Sequence, residues 1–379
     1  MPLQVDVVTS AADCGRLRQE WGDLLSEAED ATPFETFEWN HACLMSFENH
    51  GLQILVFRDH DSRMIAVLPL VLRHARKHLL RRRWLEFAGL PYGDYGTWLV
   101  RSGHEISVAH ALLNHLRLAG GTWNGVYLDH MRHSDTLTRL LPVIAREAGM
   151  FAVTQPTFNI RRLRRAAYNA DSSLGFQSSK TLAKARRKLA EIGEINFEVM
   201  SIEGEIVLHL ERYFQMHIER ALAKGARSPF ESPSQQNFFG NIVRTCSASG
   251  GVWLSIVSCA GVPITYKFSL RYRESLHLYS TCFAPAYAKY SPSMLLLDSL
   301  LEYAFKNGIR VVDFGMGDSP QKVRAGATAD QQMARVELYQ ARDAYTESRL
   351  YLAAQRSAGR SSQLRKAAKM LRRLLPYQQ

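Results

Sequence analysis

Alternating apolar runs and longer runs with a 3.6-residue period follow one another along this chain, and the order recurs. In the first half LQVDVV (3–8) predicts a strand, and residues 13–28 and about 36–47, after Pro33, predict helices. ILVFRD (54–59), the turn HDSR and MIAVLPLVL (64–72) read as a hairpin, with Pro69 marking an edge or a bulge. A strand near 95–100, a helix over 104–118 and the strand VYLDH (126–130) follow.

The second half repeats that order. INFEVM (195–200) predicts a strand, and 203–224 and 234–248 predict helices. VWLSIVSC (252–259), VPITYKFSLRY (262–272) and SLHLYSTCF (275–283) predict a three-stranded meander. SPSMLLLDSLLEYAFKNG is a capped helix and IRVVDFG (309–315) a strand. The pattern predicts two copies of one α/β unit, each a mixed, mostly antiparallel sheet flanked by helices. The divisions are 1–167, a basic linker helix in 168–193, 194–340 and a basic helical tail over 341–379.

Length fits two domains, and 46% hydrophobic residues suit a globular chain. No basic n-region with an apolar h-region opens the sequence, and the longest apolar run is nine residues, so the expected location is cytoplasmic. Five scattered cysteines without CxxC predict reduced thiols and no metal centre. Net charge is +11, but residues 341–379 hold nine Lys/Arg against two Asp/Glu, so the excess is concentrated there. In that tail Leu364, Ala367, Ala368, Leu371, Leu374 and Leu375 share one helical side and Arg365, Lys366, Lys369, Arg372 and Arg373 the other. This basic amphipathic pattern suits either an anionic membrane surface, giving peripheral inner-membrane contact through 360–379, or docking on the body. No aromatic platform supports nucleic acid as a partner.

VVDFGMGDSPQK (311–322) invites borrowed readings that fail. It lacks the GK[ST] of a P-loop, the third glycine of a dinucleotide fingerprint, and the HRD and VAIK partners of a kinase DFG. What remains is a strand end at which Asp313 and Asp318 orient a hydroxyl or amine, Gly315 and Gly317 admit a ligand, and Lys322 meets an anion; a strand–turn–helix corner capped by Asp318 is the alternative. The helix start at Ser291, Pro292, Ser293 and Met294 offers free N–H groups to a phosphate, with Lys289 and Tyr290 just upstream; Ser-Pro also begins ordinary helices.

The order strand, two helices, three-strand meander, helix, strand resembles the GNAT acyltransferases. Over most of its length the chain resembles the CelD-like acyltransferases, associated with bacterial cellulose and exopolysaccharide synthesis, and more distantly the Fem-type aminoacyltransferases, which carry tandem GNAT units. The resemblance rests on ATPFETFEWNHAC (31–43), LPYGDYGTWLV (90–100), KTLAKARRKLAEIGEINFEV (180–199), YFQMHIERALAKGARSPF (213–230), YAKYSPSMLLL (287–297) and VVDFGMGDSPQK. The chain has Ala221, Ser293 and Gln321 where the family has Trp, Gly and Tyr, and Ala288–Ser293 replaces the GNAT glycine-rich signature. The resemblance implies that strands 275–283 and 309–315 splay apart, that acyl-CoA is the co-substrate, and that its pyrophosphate meets the turn at 288–294. It also implies an amine or hydroxyl acceptor on a sugar- or lipid-linked precursor, with aminoacyl-tRNA a lesser donor, and places Asp94 and Tyr95 on the acceptor side.

Thioester aminolysis needs little beyond positioning and a base. His217 is the first base candidate, on one helix face with Tyr213 and Arg220. Tyr279 and Asp313 complete the expected catalytic set. Tyr266 and Lys267 are adjacent on a strand, so they face opposite ways and one meets the cleft. A non-catalytic accessory protein, using groove and tail to attach partners, is the alternative function.

Overall fold

The computed structural model describes residues 3–47, 50–96, 98–170 and 179–360. Thirteen strands form it: β1 (Gln4–Val8), β2 (Leu52–Arg58), β3 (Met64–Arg76), β4 (Arg81–Phe87), β5 (Leu99–Val100), β6 (Gly125–Arg132), β7 (Phe151–Arg164), β8 (Ile195–Met200), β9 (Val252–Cys259), β10 (Val262–Tyr272), β11 (Ser275–Phe283), β12 (Val311–Met316) and β13 (Thr328–Tyr339). They make one sheet in the order β1-β2-β3-β4-β6-β13-β7-β12-β11-β10-β9-β8, with β5 beside β3.

The expected repeat is present. β1–β4 and β8–β11 are antiparallel meanders, and each last strand pairs in parallel with the strand after the next helix, β4 with β6 and β11 with β12. A matching device occurs in both halves: Thr32-Pro33-Phe34-Glu35 and Ser228-Pro229-Phe230-Glu231 each form a 3-10 turn closed by a capping box, with the Phe buried.

The two halves exchange strands. β13, near the end of the second half, inserts between β6 and β7 of the first, while β7 lies against β12. Val336 and Leu338 therefore belong to the core of the first half, and Met333 to that of the second. The sheet does not part at the division near 167–194 read from the sequence.

Helices cover both faces. Arg18–Glu27 and Phe37–Ser46 pack on one face of the first half, Glu105–Leu118 and Thr136–Glu147 on the other. In the second half Glu203–Leu222 and Pro233–Cys246 cover one face. Pro292–Lys306 covers the other, with the basic helix Lys180–Ala190 against it through Leu182, Ala185 and Leu189. Arg342–Arg360 packs against β7 and β13. The amphipathic stretch 361–379 lies outside the described residues. Among the described residues no helix is long and apolar enough to cross a membrane, and the five cysteines are free.

Two expectations need correction. The third meander strand of the first half is β4, not 95–100, where only the two-residue β5 forms. Its opening Arg81-Arg82-Arg83 lies at the sheet rim while Trp84, Leu85 and Phe87 are buried, so charge masks the alternation. Pro69 lies in an inner strand, not an edge: β4 pairing begins at Leu70 and β5 pairing at Val67, and the Pro69 carbonyl accepts from Ala88 N–H between them.

Candidate functional site

β11 and β12 are paired only over Ser275–His277 and Val311–Asp313. Beyond that point β12 bends toward β7, rejoining it at Met316–Ile160 after a register shift, while β11 runs on to Phe283. The strands part because of what fills the floor. Asp313 is 1% exposed, and its Oδ2 accepts from Tyr95 Oη at 2.6 Å and Arg162 Nε at 3.0 Å, while Oδ1 accepts from Gly315 N–H at 2.8 Å. Arg162 also donates to Tyr95 Oη at 2.7 Å. His277 is buried beside them, 3.7 Å from Asp313. Burial pushes the Asp313 carboxyl up, but His277, Arg162 and the Tyr95 and Gly315 hydrogen bonds bring it below its ordinary value. Asp313 is thus committed to protein groups and holds the floor of the slot; its expected catalytic contact with substrate is not available. Arg162 and His277, absent from the sequence-based candidates, complete this node.

Gly315 adopts φ +68°, and the space a Cβ would fill is taken by the Asp94 carboxylate. A residue of this chain, not a ligand, approaches Gly315; nothing lies within 4 Å of the equivalent point at Gly317. Burial and the neighbouring Asp313 charge push Asp94 up to about 7, against the pull of Lys322. The raised value makes the folded chain hold this proton more tightly than the unfolded chain, so stability contributed by the protonated form declines as pH rises from about 4 through 7. Asp94→Asn is expected to flatten that part of the pH–stability curve and to equal or exceed the parent in stability at pH 8; urea unfolding at pH 5 and 8 checks it.

Lys322 is not free for an anion. Its Nζ donates to the carbonyls of Gly315, Met316 and Gly317 at 3.0, 2.6 and 3.1 Å and closes the turn. Asp318 is exposed and pairs with Arg161 at 2.6 Å; the cap of helix Pro320–Arg324 is Ser319, not Asp318.

Helix Pro292–Lys306 begins beside the slot. Ser291 occupies the cap position in a left-handed conformation, φ 51° and ψ 50°, and its side chain makes no capping bond. The Met294 and Leu295 amides donate to the Ser291 carbonyl at 2.9 and 3.2 Å, so Met294 is not a free donor. The Ser293 N–H has no partner among the described residues, and its Oγ is buried without one. Lys289 is exposed, its Nζ 5.0 Å from the centre of the Tyr290 ring. A free amide and an orphaned hydroxyl in the first turn fit an anionic or carbonyl-bearing group.

On β10 the parity question resolves. Tyr266 faces helix Glu203–Leu222, is fully buried and meets His209 Nδ1 at 3.2 Å. Lys267 therefore faces the side of helix Pro292–Lys306, in register with Thr281 of β11, at the level where β11 has lost β12. It is 8% exposed, and Nζ has no hydrogen-bond or ion-pair partner among the described residues. Burial, with the like charges of Lys322 and Arg220, pulls it down to about 8. Arg220 donates to the Thr281 carbonyl at 2.8 Å, stacks on Phe283 at 4.6 Å, and leaves Nε buried without a partner.

The other tyrosines are structural. Tyr213 is buried and donates to Ser280 Oγ at 2.7 Å; Tyr279 donates to the Tyr92 carbonyl at 2.9 Å; Tyr95 belongs to the Asp313 node. His217 is held by Ser228 Oγ at 2.9 Å and packs edge-on against Phe230. Burial and Arg220 pull it down to about 4, so it stays neutral but is a weak base.

A meander whose last strand parts from a parallel neighbour, with a helix N-terminus beside the opening, is the arrangement of the GNAT fold. Residues 177–323 match the acetyltransferase (GNAT) domain family, which supports an N-acyltransferase. Solved structures agree in fold. FemX aligns with TM-score 0.57 at 10% identity, over 88% of this chain and 96% of its own. The C-terminal domain of an Agrobacterium fabrum protein named as a lysylphosphatidylglycerol synthetase aligns with TM-score 0.54 at 10% identity, over 89% and 95%. L-PGS from Bacillus licheniformis aligns with TM-score 0.52 at 10% identity, over 89% and 96%. No curated protein matches the sequence.

Proposed function

We propose that this protein transfers an acyl group from acyl-CoA to an amine or hydroxyl on a sugar- or lipid-linked precursor of an envelope or extracellular polymer. The carrying observation is the slot left where β11 and β12 part after three paired residues, with the free Ser293 amide and hydroxyl, the unpaired Lys267 and the unpartnered Nε of Arg220 around it. Acyl-CoA brings the activated thioester. Ser293 N–H and Oγ would hold its phosphate or amide oxygens, and Lys289 would add charge at the rim. The acceptor lone pair forms a bond to the thioester carbonyl carbon, the C–S bond breaks, and the sulfur leaves with the electron pair. Neutral Lys267 takes the proton that the acceptor gives up, and Arg220 holds an acceptor oxygen. One fold neighbour is named as a lysylphosphatidylglycerol synthetase, which supports a lipid-linked acceptor.

Titration with acyl-CoA is expected to stabilise the protein saturably, by about 2.7 kcal/mol at a hundredfold excess over Kd. Ser293→Trp is expected to abolish that shift with the circular dichroism spectrum intact. A shift that survives the substitution would move the ligand away from this turn, and no shift at millimolar acyl-CoA would remove the donor assignment.

A further inference from the structure

We propose that a groove on the first half of the molecule, between helix Thr136–Glu147 and helix Arg342–Arg360, binds a phosphate ester at a site separate from the acyl-transfer slot. The groove encloses about 470 Å³ and is lined by Arg139, Arg146, Arg349, His133 and Thr138, with Pro142, Val153 and Leu352 as apolar walls; among the described residues no carboxylate lines it. That volume lies within the range of small-molecule sites.

Arg132, Arg161, Arg162 and Arg335 all find carboxylates within 3.0 Å. Arg139 and Arg146 form no ion pair among the described residues, and Arg349 has only the Tyr345 hydroxyl at 3.0 Å. Arg139 and Arg146 are seven residues apart on one helix, two turns along a single face.

A second observation points inward. Thr138 is 1% exposed, lines the groove, and has a buried Oγ1 without a hydrogen-bond partner. A buried hydroxyl left unpaired is destabilising, and a bound acceptor oxygen relieves that cost. Three guanidinium groups and an imidazole around one hydroxyl donor match the several acceptor oxygens and multiple charge of a phosphate better than a single carboxylate. The phosphate has two possible sources, a soluble phosphorylated molecule or a lipid headgroup.

Isothermal titration of the full chain with inorganic pyrophosphate at low salt, and flotation with phosphatidylglycerol vesicles, test this. Saturable pyrophosphate binding that weakens at least about tenfold in the Arg139→Ala/Arg146→Ala double variant supports a soluble source. Vesicle binding lost in that variant, without pyrophosphate binding, supports a lipid source. Ser293→Trp should leave both readouts unchanged and the double variant should leave acyl-CoA stabilisation unchanged, so this site and the transfer slot fail independently. Thr138→Val should weaken binding about threefold or more without lowering the melting temperature. The proposal is overturned if the double variant binds both probes as the parent does, if neither probe binds the parent, or if Thr138→Val leaves affinity unchanged.

Discussion

Lys267→Met is expected to yield a protein that is more stable than the parent and at least a hundredfold slower in acyl transfer. An unpartnered cation at 8% exposure is costly. Its folded-state value of about 8 lies below the roughly 10.4 of an unfolded lysine, a difference of about 3 kcal/mol at neutral pH. The unfolded chain holds more protons between those values, so parent stability rises with pH from about 8 to 10.4, and the methionine variant should lack that rise. Methionine keeps the packing of the long side chain and removes the charge. If neutral Lys267 is the proton acceptor, the parent rate climbs toward pH 8 and the residual rate of the variant does not follow that limb. Urea unfolding at pH 7 and a pH–rate profile measure both effects. A variant less stable than the parent would contradict the unpaired assignment, and one with parental kcat at each pH would remove Lys267 from proton transfer.

The second large effect is on the node beneath the slot. Asp313→Ala removes the acceptor shared by Tyr95 and Arg162 and orphans the Gly315 amide, at an expected cost of about 3–5 kcal/mol. Tyr95→Phe alone should cost about 1 kcal/mol, and the double variant less than the sum, because the two act through one contact. The Asp313 carboxyl holds its proton less tightly when folded than when unfolded. Its contribution is therefore complete above about pH 4 and is lost as pH falls through the folded value. Denaturant midpoints for the three variants at pH 7 and pH 3.5 check this; an Asp313→Ala variant within about 1 kcal/mol of the parent would show the node to be dispensable.

Much of the fold was legible because alternation and helical period were clean in the meanders and in helices 105–118, 203–222 and 292–306. What was hidden has physical reasons. β4 opens with three arginines at the rim, and β13 reads TADQQMARVELY, polar at its start because its first residues lie on an exposed stretch. The strand exchange depends on pairing of β13 with β6 and β7, strands far from it along the chain, which no local pattern encodes. The repeated TPFE and SPFE boxes did carry a signal of internal symmetry.

In the site, the helix start was legible at Ser293 but not at Met294, whose amide the left-handed Ser291 recruits. Lys267 could be placed only on one of two faces until its strand had neighbours. Arg162 and His277 carry no local signal in the sequence; only the meeting of β7, β11 and β12 joins them to Asp313. Of the candidate tyrosines, Tyr213, Tyr266 and Tyr279 engage their hydroxyls with other groups of the protein, which sequence cannot distinguish from exposure.

The exchange of β7 and β13 bears on how the chain reaches this shape during synthesis. The first half emerges from the ribosome with the edge of β6 bare, and its missing neighbour is made only at residues 328–339. Until then that edge invites foreign β-pairing. Expression of the first half alone should give aggregates, and chaperone demand should end only when the late strand arrives.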